Sequence, residues 1–345
     1  MKKIPVGILG ATGVIGQSYV HLLQNHPWFT ISHLSASPKW EGASYEEATA
    51  SYSLFPKPSS PLPPLKPLLP SPPCRLLFSA LPSYLAQEVE CPLATKGFAV
   101  ISSSSSHREE DDVPLIIPEI NPDHLALLAY QQKKRGWKTG LLLAKPNCSI
   151  QSFLLPLAPL HQAFGIASLS VTTLQALSGA GLSALTQNPL SENVSPFIPG
   201  EEEKTEQEPL KILGAYKDRK ITPENFPITA HCNRVPISHG HLACVSVAFH
   251  QKPTQEQILN IWKRPSPLTL PTSPRFPILY REEEDRPQPL LDRDHSRGMT
   301  VTTGRLRPCP LLDWRFTALS HNTLRGGAGS GLLLAELLHS QNLLP

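Results

Sequence analysis

Ile4 to Leu9 is a short apolar run, and it leads straight into Gly10-Ala11-Thr12-Gly13-Val14-Ile15-Gly16. From Val14 to Gln24 the apolar residues recur at helical spacing, with Val14, Ile15, Tyr19 and Leu22 or Leu23 on one side. No other feature constrains the fold as tightly as this glycine turn between an opening strand and an opening helix. Glycines let the turn be tight and let the backbone approach a pyrophosphate, which the helix N-terminus then stabilises. The G-x-x-G-x-x-G spacing is a variant of the usual dinucleotide fingerprint, and alone it would also suit an ordinary glycine-rich turn. Its place between strand and helix marks Gly10, Thr12, Gly13, Val14 and Ile15 as cofactor-binding.

NAD-specific folds put an acid about 20 residues further on, at the end of the second strand, to hold the ribose 2′-hydroxyl. Here Phe29 to Leu34 reads as that strand, and Leu34-Ser35-Ala36-Ser37-Pro38-Lys39 contains no acid. The hydroxyls of Ser35 and Ser37 and the Lys39 ammonium can accept a 2′-phosphate that a carboxylate would repel. NADP is therefore the expected cofactor.

Further along, Arg75 to Leu81, Phe98 to Ser102 and Gly140 to Ala144 read as strands, with a helix from Tyr84 to Lys96. Strands alternating with helices predict βαβ units and a parallel sheet. After Cys148 the pattern changes. Ser168 to Gln175 and Leu242 to Phe249 read as longer strands, and in the second Val245, Val247 and Phe249 alternate with smaller residues, as in a sheet covered on one face. The fold class expected is α/β, with a Rossmann-type domain followed by an α+β domain and a closing helix from Gly331. A length of 345 residues suits two domains.

A net charge of +3, with 31 Lys and Arg spread along the chain, gives no nucleic-acid footprint. No apolar run approaches the roughly 18 residues of a membrane span. The six cysteines are irregularly spaced with no C-x-x-C pair, so neither a metal site nor a redox motif is suggested. The opening leaves no room for a signal peptide before the first strand, so a soluble cytoplasmic protein with reduced thiols is expected. Of 38 prolines many fall between Phe55 and Pro73. That stretch reads as an irregular surface excursion, partly polyproline II, that cannot be a helix or a central strand.

Pro146-Asn147-Cys148-Ser149 stands where a buried strand ends and an apolar helical stretch begins. A thiol at a helix N-terminus has its thiolate stabilised by free amides and the helix dipole, which suits a nucleophile. The other five cysteines read as small buried hydrophobes.

Together, Asn147-Cys148-Ser149, the opening Gly-Ala-Thr-Gly and Gln175-Ala-Leu-Ser-Gly-Ala-Gly181 resemble the aspartate-semialdehyde dehydrogenases. So do Phe78 to Pro82, Val113 to Glu119, Ile198 to Lys204, Lys211 to Leu213, and Cys232 to Pro236 with Gly240-His241. The Ile-Pro-Glu and Gly-Glu-Glu-Glu-Lys forms are similar to the archaeal and fungal branch. The match runs in order along nearly the whole chain.

The resemblance implies a reversible reaction in which aspartyl phosphate and NADPH give aspartate semialdehyde and phosphate through a cysteine thioester, on the route to lysine (by way of diaminopimelate), threonine and methionine. It implies Cys148 as nucleophile, His241 as general acid/base and Gln175 as the residue orienting the thioester. Arg234 would clamp the substrate carboxylate and Glu201 its amino group, while Arg108, partnered by Lys204, would hold phosphate. Ser178, Gly179 and Asn322 would lie along the cofactor. It implies an NADP-binding domain over 1–147, a catalytic and dimerisation domain of the glyceraldehyde-3-phosphate-dehydrogenase type over 148–320, residues 321–345 packing back on the first, and a homodimer or a tetramer of dimers.

Residue chemistry agrees, since a substrate with carboxylate, ammonium and acyl phosphate needs a planar cation, an anion and a cationic pocket. Glu201 and Lys204 would share one face of a helix. His239 competes with His241: if Leu242 begins the strand, both could point the same way, and spacing alone favours His241. The sequence departs from the family in its five serines, Ser102 to Ser106, in Lys145 where Asn is common, and in Pro156 and Pro159, which should interrupt the helix after the nucleophile. A sister reductase acting on N-acetyl-γ-glutamyl phosphate is the main rival, but an acetylated amine needs no acidic partner such as Glu201. A non-catalytic NADP sensor would not explain Cys148, Gln175, Arg234 and His241 together.

Overall fold

The computed structural model describes residues 2–68 and 74–345. Its first sheet grows from β1 (Ile4–Leu9), α1 (Val14–Leu23), β2 (Phe29–Ser35), the short helix α2 (Tyr45–Thr49) and β3 (Leu65–Lys66). It is completed by β4 (Leu76–Ser79), α3 (Ser83–Thr95), β5 (Ala99–Ser102), α4 (Leu127–Arg135) and β6 (Leu141–Ala144). All pairings are parallel, in the order β3-β2-β1-β4-β5-β6. Every residue of β4, β5 and β6 is buried, which is why these strands read as continuous apolar runs. The strand order reverses between β1 and β4, and the crevice at such a switch point is where a doubly wound sheet binds dinucleotides.

Helix α5 (Ile150–Phe164) leads into the second sheet at β7 (Ile166–Gln175). Helices α6 (Leu182–Gln187) and α7 (Glu201–Leu213) and a hairpin of β8 (Ala215–Lys217) and β9 (Lys220–Thr222) precede β10 (Ile228–Arg234) and β11 (His241–Phe249). Then come α8 (Gln255–Trp262), β12 (Ile278–Arg281), the short turns α9 (Pro289–Asp292) and α10 (His295–Gly298), β13 (Val301–Pro308), β14 (Trp314–Ser320) and α11 (Gly329–Ser340). This sheet is mixed, in the order β10-β7-β11-β14-β13-β12. Buried and partly exposed residues alternate along β7 and β11, since α5 covers only one face. Leu332, Leu334 and Leu338 of α11 share an apolar cluster with Val6, Ile8 and Phe78, so the end of the chain packs against the first sheet.

Two expectations need correction. Pro156 and Pro159 do not interrupt α5, which runs unbroken from Ile150 to Phe164. Each proline removes one helix donor, but the helix is buried along most of its length and the Pro156 carbonyl accepts from the Trp262 indole at 2.9 Å. Packing on both sides outweighs the lost bonds. The proline-rich stretch is also more anchored than a surface excursion: Phe55 stacks on His21 at 4.3 Å, and Leu65 and Lys66 add a parallel edge strand to β2. Prolines tolerate a sheet edge. Residues 69–73 of that stretch lie outside the described residues.

Candidate active site

Cys148 sits where β6 hands over to α5. The Asn147 side-chain oxygen accepts from the Ser149 amide at 2.9 Å and from its hydroxyl at 3.1 Å, a local turn that opens the helix just after the thiol. Asn147 is held in turn by α7: its amide donates to Glu208 at 2.7 Å, and its side-chain NH₂ donates to both Glu201 oxygens at 2.8 Å. The nucleophile loop is thus pinned to a helix of the second domain.

The Cys148 sulfur lies 3.2 Å from Nε2 of the fully buried His241. The Ala176 amide points at His241 Nδ1 from 3.0 Å, which leaves Nδ1 the acceptor and sets the ring proton on Nε2, facing the sulfur. Burial, reinforced by Arg234, His321 and His239, holds the imidazole well below its ordinary pKa. β11 begins at His241 itself. Gly240 before it takes a φ of 104°, open to glycine, and this breaks the alternation that would have aimed both histidines alike. His239 stacks on His321 at 5.3 Å instead.

The thiol departs from expectation. Burial and then Glu201 push its pKa up, against the downward pull of Lys145, Arg234 and Arg108. Desolvation at the buried sulfur outweighs the helix N-terminus on which the sequence argument relied.

Around the pair stand the residues the sequence singled out. Gln175 ends β7 beside Arg234 at the end of β10, and donates to Glu201 at 3.1 Å. Arg234 donates to the Ala176 carbonyl at 2.8 Å. Glu201 begins α7 and pairs with Lys204, one turn on, at 3.2 Å. Burial alone would raise the Glu201 carboxyl, but Lys204 and the Asn147 and Gln175 amides outweigh it and hold it below its usual value. Arg108 bonds Glu208 at 2.7 Å and the Ser103 carbonyl at 3.1 Å. Lys211 ties its loop to α7 by donating to the carbonyls of Arg108, Glu110 and Val113. Arg108, Lys204, Glu201 and Cys148 all line one cavity of about 460 Å³. Cavities of about 610 and 620 Å³ lie elsewhere; chemistry, not volume, selects this one.

Sequence reasoning missed Glu208. It lies in Glu201-Glu-Glu-Lys-Thr-Glu-Gln-Glu208, which reads as a solvated acidic run, yet it falls on the same helix face as Glu201 and Lys204.

Val14, Ile15, Ser178, Gly179 and Asn322 border the same cavity. Asn322 bridges its walls, accepting from the Gly240 amide at 2.8 Å and donating to the Ser178 hydroxyl at 2.7 Å. Gly10, Thr12 and Gly13 form the turn above. A Cβ on Gly16 would lie 2.1 Å from the Gly10 carbonyl oxygen, so only glycine lets the helix start this close to the turn. Gly13 caps α1 with no side-chain bond, and among the described residues the Val14 and Ile15 amides have no backbone partner. That cradle fits a pyrophosphate. Ser37 and Lys39 are exposed beyond the end of β2, where a 2′-phosphate could reach them. Ser35 is different: its hydroxyl is buried without a partner, and it acts through its carbonyl, which accepts from the Gly10 and Ala11 amides at 3.0 and 2.8 Å.

Comparison with known proteins agrees with this arrangement. Residues 5–128 match the semialdehyde dehydrogenase NAD-binding domain and residues 157–325 the semialdehyde dehydrogenase dimerisation domain. The aspartate-semialdehyde dehydrogenase of Archaeoglobus fulgidus is 41% identical over 99% of this chain and 100% of its own. That of Saccharomyces cerevisiae is 39% identical over 99% of each. The crystal structure of the Candida albicans enzyme with NADP superposes with a TM-score of 0.87 at 34% identity, covering 99% of this chain and 100% of that one. Likeness of this degree, end to end, means that this chain belongs to the aspartate-semialdehyde dehydrogenase family.

Proposed function

We propose that this protein is an NADP-dependent aspartate-semialdehyde dehydrogenase, reducing L-4-aspartyl phosphate to L-aspartate 4-semialdehyde with release of phosphate, and running reversibly. The observation that carries this reading is the Cys148–His241 contact of 3.2 Å at a cavity bordered by both Arg108 and Lys204 and the first turn of α1.

In the biosynthetic direction Cys148 attacks the acyl carbon as the thiolate, with the His241 Nε2 proton facing it, and the C–O bond to phosphate breaks, leaving a thioester and free phosphate. Arg108 and Lys204 offset the charge of the departing phosphate. Arg234 grips the α-carboxylate and Glu201, kept as a carboxylate, meets the ammonium. The Gln175 amide orients the thioester carbonyl. Gly10, Thr12, Gly13, Val14 and Ile15 at the α1 turn would hold the cofactor, which as NADPH would supply a hydride in this direction and as NADP⁺ would accept one in reverse. His241 presents its Nε2 proton to the carbonyl oxygen as the hydride arrives, and takes it back as the thiohemiacetal collapses, which frees the aldehyde and returns the sulfur as a thiolate. Splitting one acyl transfer into two steps is what the thiol contributes.

The product feeds lysine (through diaminopimelate), threonine and methionine synthesis. The working form is a homodimer or a tetramer of dimers, in keeping with the dimerisation-domain match over residues 157–325. All six cysteines are free, which accords with a cytoplasmic protein. Among the described residues no helix is long and apolar enough to cross a membrane.

Assays with L-4-aspartyl phosphate and N-acetyl-γ-glutamyl phosphate, each with NADPH and NADH, test this function. Turnover is expected with the first substrate only, with NADPH favoured by at least about tenfold, because the β2 end offers Ser37 and Lys39 and no carboxylate. Turnover of the acetylated substrate, or an NADH preference, would refute it.

A further inference from the structure

Lys145 has no part in the scheme above, yet its surroundings are unusual. It follows β6, only Pro146 and Asn147 separate it from Cys148, and it lines the same cavity as the thiol. Only 3% of it is exposed. Its ammonium donates to two backbone carbonyls, Pro146 at 3.3 Å and Gly326 at 2.9 Å, and among the described residues it has no carboxylate at ion-pair distance. A buried cation with only neutral acceptors is costly. Burial and then the Arg108 guanidinium push it down to about 8. Gly326, in turn, touches the nucleophile: a Cβ there would lie 2.8 Å from the Cys148 Cβ and 2.7 Å from its carbonyl oxygen.

We infer that Lys145 is a positioning residue for the nucleophile, its ammonium stabilising the Cys148 thiolate while it clamps the Gly326 backbone against that residue. The inference rests on the reading of Cys148 as nucleophile. The charged and titratable groups facing Cys148 are His241 from β11, Arg234 from β10, Glu201, Lys204 and Glu208 from α7, and Arg108 from the loop after β5. Lys204 is matched by Glu201 at 3.2 Å and Arg108 by Glu208 at 2.7 Å. Arg234 is the cation that the substrate carboxylate would occupy. Among the described residues Lys145 has no carboxylate at ion-pair distance; the sulfur answers its charge more strongly than Glu208 does, and Lys145 lowers the thiol pKa more than the two arginines do.

Three variants separate charge from hydrogen bonding. Lys145→Gln keeps donors for the two carbonyls and removes the charge, Lys145→Met removes both, and Lys145→Arg keeps the charge. The readout is the rate at which iodoacetamide alkylates Cys148 in the full-length protein across a pH series, followed on the peptide that contains it. Near pH 7, about tenfold slower labelling is expected for the Gln and Met variants, and Lys145→Arg should stay within about threefold of wild type. The gap should close towards about pH 9, as wild-type Lys145 loses its own proton. A purely structural lysine would give no such convergence. Superimposed profiles for wild type and Lys145→Gln overturn the inference, and so does a Lys145→Arg protein as slow as Lys145→Gln. Should Lys145→Met not fold, the Gln and Arg variants decide between these outcomes. Alkylation needs no turnover, so failure here leaves the thioester scheme standing, whereas failure of that scheme would appear as an active Cys148→Ser enzyme.

Discussion

Cys148→Ser is expected to lower kcat by on the order of 10⁴-fold or more while NADP still binds within about twofold of wild type. The substitution is nearly isosteric and leaves the neighbouring bonds in place, because Asn147, not the thiol, makes the contacts to Ser149, Glu201 and Glu208. What changes is the nucleophile. An alcohol ionises far less readily than a thiol, and this site already disfavours an anion through burial and Glu201. A serine ester would also accept hydride less readily than a thioester. The cofactor cradle is formed by α1 and its turn, so binding should be untouched. Steady-state rates alongside a fluorescence titration of NADP check both halves, and a serine enzyme within tenfold of wild type would remove Cys148 from the reaction.

His241→Asn is expected to lower kcat by roughly 10²–10⁴ with little change in KM, whereas His239→Asn should do little. Asparagine at 241 can still accept from the Ala176 amide, so the loop should hold while the proton carrier is lost. The neighbouring histidines differ in placement: His241 lies 3.2 Å from the sulfur, and His239 stacks on His321 with its carbonyl bound by Arg293 at 3.1 Å. A collapse of kcat at His239 with a nearly normal His241 variant would contradict the assignment. The His241 proton must be available while the ring stays neutral, which burial secures.

Local signals carried most of this arrangement. The glycine turn, the buried parallel strands and the thiol at the β6–α5 junction each follow from patterns within a few residues. α2 too carries a local signal, the capping box formed by Ser44 and Glu47. What could not be read depends on long-range packing. Pro156 and Pro159 are helix breakers on propensity, and only the two flanking layers keep α5 whole. Ser35 looks like a phosphate ligand until the sheet turns its hydroxyl inward. The partner of Arg108 is decided by which turn of α7 meets its loop, and that loop is placed by Lys211, a hundred residues on in sequence. The raised thiol pKa comes from burial of the sulfur, and a helix N-terminus seen in sequence says nothing of how much water the fold removes.

The most direct test of the thioester account omits phosphate. Enzyme mixed with aspartate semialdehyde and NADP in phosphate-free buffer should release a burst of about one NADPH per active site and then stall, with steady turnover resuming when phosphate is added. The burst should vanish in Cys148→Ser. Steady NADPH formation that needs no phosphate, or turnover with phosphate but no preceding burst and no acyl group on Cys148, would contradict it.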